Sequence, residues 1–221
     1  MSRTAILTGA SVLILLMAGV LAAQTHDVSD YFMLTPGTWR IEEQRDPGNP
    51  TPVKKTALVV TTLGQYILQN GFKWDGKAWQ VGYVQVFELT ATHLVYHGEF
   101  NPVNNKYMLL NPPLRIPRRM NLNDPFTHRG QVLYPTSVTQ GTITVMITAD
   151  NLTKKTQAGT FTGCIRFMVA ILSDQYAETR SEIRARKQGF IHGVHGEVDE
   201  TEPEASMVDT KIYECTDPKQ P

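Results

Sequence analysis

From residue 38 onward apolar and polar residues alternate with a period of two, and no helical periodicity of ten or more residues stands out. Such alternation sends successive side chains to opposite faces of an extended chain, so it predicts an antiparallel sheet. Trp39-Arg40-Ile41-Glu42-Glu43 reads as a first strand that stops at the breakers Asp46-Pro47-Gly48-Asn49-Pro50. Residues 54–62 supply a second strand. Residues 66–74 and 77–89 flank Asp75-Gly76, a hairpin signal whose residues tolerate positive φ, and 93–100 completes a meander. Residues 101–126 break the pattern with Pro102, Pro112, Pro113, Pro117 and Pro125. Proline removes ladder donors, so this stretch reads as a Pro-rich crossing and not a central strand. Alternation resumes over 141–149, 154–161 and 164–172. Residues 176–186 read as a strand with Tyr176, Glu178, Arg180 and Glu182 on one face, in preference to a short polar helix. A glycine-punctuated stretch, 189–196, leads to an acidic loop, and 207–215 forms the last strand. The expected fold is all-β: an antiparallel curved sheet or open barrel, lipocalin-like or a half-barrel, of about nine to eleven strands.

The start of the chain follows another rule. Arg3, an apolar run over 10–21 and the small pair Ala22-Ala23 have the form of a secretory signal peptide, cleaved after Ala22 or Ala23. Residues 24–221 are then one domain, secreted or periplasmic, with no stable membrane span after cleavage. Gln24 stands where a lipidated cysteine would be needed. The chain has 21 Lys+Arg and 21 Asp+Glu, and losing Arg3 leaves 20 against 21, so overall charge points to neither nucleic acid nor an anionic membrane. Cys164 and Cys215 are the only cysteines. In an oxidising compartment they are expected to form one disulfide closing a loop of about fifty residues, worth roughly 4 kcal/mol on the chain-entropy model.

Three separated pieces resemble a broad, poorly characterised group of bacterial secreted proteins and lipoproteins. Asp30-Tyr31-Phe32-Met33-Leu34-Thr35-Pro36-Gly37-Thr38-Trp39 is similar to the group's opening motif, with Met33 in place of a proline and a shorter gap from glycine to tryptophan. Asn111-Pro112-Pro113-Leu114-Arg115-Ile116-Pro117 resembles its proline-leucine crossing, and Ala158-Gly159-Thr160-Phe161-Thr162-Gly163-Cys164-Ile165 its Ala-Gly-Thr-Phe-x-x-Cys motif. Gly189-Phe190-Ile191 stands where the group has a late glycine-containing strand. The resemblance implies one antiparallel β domain at the cell envelope or outside the cell, and no activity comes with it. Gly37-Thr38-Trp39 is also similar to the Gly-x-Trp of lipocalins, although the long proline crossing departs from them.

Candidate chemistry is sparse. His192, His195 and Glu197 form His-x-x-His-x-Glu, whose side chains suit zinc or copper. In an extended segment, however, 192 and 195 point to opposite faces, and the neighbouring glycines disfavour a metal-binding helix. No nucleophile elbow or phosphate-cradling glycine loop occurs, so no catalytic residue and no cofactor is expected. Glu178 and Glu182 share a face with Arg180 and read as a cross-strand charge ladder. Trp39, Trp74, Trp79, Tyr83 and Phe87 are the candidate ligand-binding aromatics, with Trp79, Tyr83 and Phe87 near one face by alternation. The expected function is that of an exported, non-catalytic protein acting by ligand or partner binding or by assembly. Its partners would be a small apolar ligand held in a cupped sheet, or an envelope or extracellular protein. A metal-dependent enzyme built on His192, His195 and Glu197 is the alternative.

Overall fold

Alternation is realised as strand almost throughout the computed structural model, which describes residues 24–46, 48–49, 51–173, 176–198 and 207–216. The expected signal peptide, 1–23, lies outside the described residues. In chain order the strands are β1 (Thr25–Asp27), β2 (Trp39–Arg45), β3 (Lys54–Leu63), β4 (Tyr66–Trp74), β5 (Trp79–Leu89), β6 (His93–Asn101), β7 (Lys106–Pro117), β8 (Arg119–Asn121), β9 (Phe126–Leu133), β10 (Val138–Thr156), β11 (Gly159–Ser173), β12 (Tyr176–Ala185), β13 (Gly189–Val198) and β14 (Met207–Thr216). A 3-10 turn occupies Val28–Tyr31. No helix among the described residues is long and apolar enough to cross a membrane.

The all-β antiparallel class is as expected. Twelve strands pair in the order β10-β11-β12-β13-β14-β2-β3-β4-β5-β6-β7-β9, and β9 pairs back onto β10. The curved sheet thus runs on to closure, through a narrow seam of three residue pairs between β7 and β9: Leu109 with Leu133, Leu110 with Val132 and Asn111 with Gln131. Closure satisfies edge donors and acceptors that an open barrel would expose.

Antiparallel order gives the barrel two different ends. Strands β2, β4, β6, β9, β11 and β13 end, and β3, β5, β7, β10, β12 and β14 begin, at one end of the barrel, here the mouth. The N-terminal segment closes the other end, the floor. Val28 N donates to Arg118 O at 2.7 Å, Lys187 N to Asp30 O at 2.5 Å, and Gln69 Nε2 to Met33 O at 2.7 Å. Asp27 accepts from Ser29 N at the start of the 3-10 turn and pairs with Arg118, whose hydrogen bonds offset burial and hold the carboxyl below its ordinary value. Val28 and Tyr31, so anchored, join Leu114, Ile116, Met120, Ile147, Ile165 and Phe167 in the main apolar core, with Phe32 packed against it.

Two expectations change. The Pro-rich crossing holds β7 and β8. Pro112 and Pro113, with a cis Asn111-Pro112 bond, sit where the β6–β7 register jumps from Leu114 opposite Tyr96 to Leu109 opposite Gly98. Residues 110–113 bulge there, where the β6 ladder needs no donor, so a strand survives around two prolines. Cys164 is a free thiol, buried with Ala185 and Ile191, and the expected disulfide is not formed in the described structure. Strands β12 and β13 intervene between β11 and β14, which carries Cys215, and the Cys215 side chain lies outside the described residues. Burial raises the Cys164 thiol above its ordinary pKa.

Phe167, 1% exposed, links β11 to the floor through an edge contact with Phe32, ring centroids 6.0 Å apart. Phe167→Ala is expected to cost about 3–5 kcal/mol in urea unfolding, since the closed ring gives neighbours little freedom to fill the void.

Candidate functional site

In-register pairs share a face, and three rows running from β10 to β13 show what lines the barrel. Ile143, Ile171 and Glu178 are paired in one row; Val145, Val169, Arg180 and His195 in the next; Ile147, Phe167, Glu182 and Gly193 in the third. This is the face of Phe167, which meets Phe32 at the floor, as does Phe87 of β5. The inner wall therefore changes from aliphatic on β10 and β11 to ionic on β12 and β13.

On β12 each glutamate clasps the arginine two residues on. Arg180 Nε and Nη2 each lie 2.6 Å from the two oxygens of Glu178, and Arg184 Nε and Nη2 lie 2.8 and 2.6 Å from Glu182 Oε2. His195 stands across β13 with Nδ1 3.8 Å from Glu178 and Nε2 3.5 Å from Glu182. The Arg184 guanidinium covers the Phe32 ring at 4.1 Å, and Phe190 meets His195 edge-on. Burial pushes the Glu182 carboxyl up. Arg184, the His195 hydrogen bond and Arg180 outweigh it and hold the group well below the usual carboxylate range.

The wall continues on the other side of the ring. Arg40 donates to Gln188 O at 3.1 Å, pairs with Glu42 at 2.5 Å and lies over the Phe190 ring. Glu42, Thr56, Lys73 and Gln80 are in register toward the mouth, with Lys54 beside Gln44. Burial and the neighbouring Lys73 push the Lys54 ammonium below its ordinary pKa despite Glu42 and Glu99. Gln69, Gln85 and Glu99 form another row, in which Gln85 donates to Glu99 at 3.3 Å. Burial and Glu99 raise the Tyr96 phenol well above its ordinary value. Glu178 is 3% exposed while Arg180, its partner, keeps 35% of its side chain accessible, so the guanidinium stands at a wetted part of the inner wall.

The candidate aromatics divide. Tyr83 and Phe87 face inward, Tyr83 lying on Gly71, where a Cβ would come within 2.5 Å of its ring. A bulge at Gly82 shifts the β4–β5 register between Gly71 and Phe72, so Trp79 pairs with Trp74 on the outer face instead of joining Tyr83. Trp39 is in register with Val59, opposite the face of Arg40, and is half-buried on the outside. The expected aromatic-lined apolar site is thus not assembled by these five. Two clefts of about 420 Å³ open on the surface, lined by residues such as Arg129, Gln140 and Leu172 or Tyr107, Tyr134 and Pro135, with neither Trp nor Phe.

His192 is paired with Ile183 and His195 with Arg180, so the two imidazoles leave β13 on opposite faces, as an extended chain requires. The Glu197 side chain lies outside the described residues, and among the described residues no three His, Cys, Asp or Glu side chains gather as a metal site. The sequence places Glu178, Arg180 and Glu182 on one face as a cross-strand charge ladder, and alternation alone does not tell that this face is the inner one. The available signal is the mouth-end half of β12's other face, Ala177, Thr179 and Ser181, whose side chains are too small to form a core there.

No protein-family model matches the chain, and no curated protein matches it. In fold it is similar to a protein from Bacteroides fragilis described as exported with a YmcC-like fold: 11% identity, TM-score 0.52, spanning 86% of this chain and 99% of that one. A protein from Parabacteroides distasonis described as a lipoprotein aligns with TM-score 0.45 and 11% identity over 86% of this chain and 98% of its own.

Glu182→Gln leaves Arg184 buried without its counter-charge and is expected to cost about 3–5 kcal/mol at neutral pH. Because the folded Glu182 pKa lies below the unfolded value of about 4.3, its stabilisation is present above that value and fades as pH falls toward the folded one. Urea unfolding at stepped pH should show wild-type stability dropping below about pH 4.3 and a shallower drop in Glu182→Gln.

Proposed function

We propose that this is an exported, non-catalytic binding protein whose barrel takes a small, polar, anionic ligand at its mouth. The observation that carries this reading is the ionic inner wall. Replacing buried ion pairs with apolar side chains is often neutral or stabilising, so Glu178, Arg180, Glu182, Arg184 and His195 are costly as mere filling. Ionisable groups whose protonation is shifted by their surroundings, as that of Glu182 is, cluster at functional sites. Above this wall Lys54 and Lys73 repel each other, and an anion between them relieves that repulsion. Arg180, held on its Nε–Nη2 edge by Glu178, keeps 35% of its side chain accessible to the same space, and a guanidinium is suited to carboxylate or phosphate.

An apolar cargo fits poorly, because the inner wall toward the mouth is charged on β12, β2 and β3 alike. Acid-base catalysis also fits poorly. A general acid needs a raised pKa, whereas Glu182 is held low by Arg184 and His195. Export is supported by the form of residues 1–23 and by the likeness in fold to a protein described as exported.

Native mass spectrometry of protein purified from its own host tests the proposal. A small acidic adduct is expected on the wild type, and Arg180→Ala should weaken its binding about tenfold or more. A wild type that is bare, or that carries only apolar molecules, contradicts the reading.

A further inference from the structure

The outer face tells a separate story. Among the described residues eleven large apolar side chains are exposed, and five of them, Trp74, Val81, Phe100, Val103 and Tyr107, lie at the mouth ends of two adjacent hairpins, β4–β5 and β6–β7. The registers make them contiguous: Trp74 opposes Trp79, Phe72 opposes Val81, Val84 opposes Phe100, and Phe100 opposes Tyr107. Val103, 72% exposed, projects at the β6–β7 tip beside the mouth. These positions exist because the Gly82 bulge turns Trp79 and Val81 outward, at the register shift between Gly71 and Phe72.

We propose that this patch docks onto an anionic phospholipid surface. Charge complementarity selects that occupant. At the tips of these hairpins two lysines, Lys77 and Lys106, stand against one carboxylate, Asp75. That carboxylate already accepts from Lys77 N and Ala78 N at 2.8 Å and from Gln80 at 3.1 Å. Tryptophan and tyrosine with lysines at loop tips match the headgroup layer, where rings sit half in hydrocarbon and ammonium groups reach phosphate. A sugar ring is a poorer match, since the Trp74 and Trp79 rings lean on each other at 58° and present no flat platform, and exposed valines add nothing to stacking. The near-neutral balance of the whole chain conceals this local excess of positive charge.

The test is vesicle flotation of the exported protein, its N terminus fixed by mass spectrometry. Vesicles of phosphatidylglycerol with phosphatidylethanolamine are compared with phosphatidylcholine alone, and tryptophan emission is read against brominated acyl chains. Partition at least tenfold stronger on the anionic vesicles is expected, with blue-shifted, quenched emission. Trp74→Ser combined with Val103→Ser should lower it about tenfold while circular dichroism and Tm stay unchanged. Lys77→Glu, at an exposed tip, should lower it on anionic vesicles alone. The proposal is overturned by absence of partition, by partition that these variants leave intact, or by size-exclusion showing that they dissolve a dimer of this chain instead.

Discussion

Phe32 holds the two halves of the barrel interior together. Its ring meets Phe87 of β5 and Phe167 of β11 edge-on, and the Arg184 guanidinium of β12 lies over it at 4.1 Å. One side chain from the N-terminal segment therefore touches both sides of the ring and sits where aliphatic wall gives way to ionic wall. A closed barrel of this size needs its inside filled, and β12 carries almost nothing apolar to fill it with. The chain solves this by bringing its own N-terminal segment under the floor and by pairing charges along one strand. Arg184 is satisfied by Glu182 on one side and by the Phe32 ring on the other, so the charge is buried without being stranded.

This division of the interior gives the molecule its functional shape. The floor is apolar and tied shut by Asp27, Asp30 and Met33 contacts to three other parts of the ring. The upper wall is ionic, and its accessible guanidinium and paired lysines face the mouth. Outside, two hairpins at that same end carry aromatic rings and lysines. The two proposals rest on different faces and on different residues.

Much of the β architecture was legible because alternation is a direct consequence of strand geometry, as in 39–43 or 207–215. The Asp75-Gly76 hairpin and the opposite orientation of His192 and His195 followed from the same rule. The remainder depended on features that alternation does not encode. Gly82 looks like any strand glycine, yet its bulge sends Trp79 and Tyr83 to opposite faces. Pro112 and Pro113 are hostile to a ladder in general but harmless where β6 offers no matching acceptor. Above all, a run of alternating Glu and Arg reads as a charge ladder with no assigned side until closure of the ring puts it inside. Cys164 shows the limit of compartment reasoning: an oxidising compartment predicts a bridge, yet among the described residues this thiol is free and buried.

A double-mutant cycle between Phe32→Leu and Arg184→Met, read by urea unfolding at neutral pH, bears most directly on the joint between floor and wall. A coupling of about 1–2 kcal/mol is predicted, as befits a desolvated cation over a ring. Strict additivity of the two substitutions would contradict it, for then the N-terminal segment and the ionic wall would be independent structures.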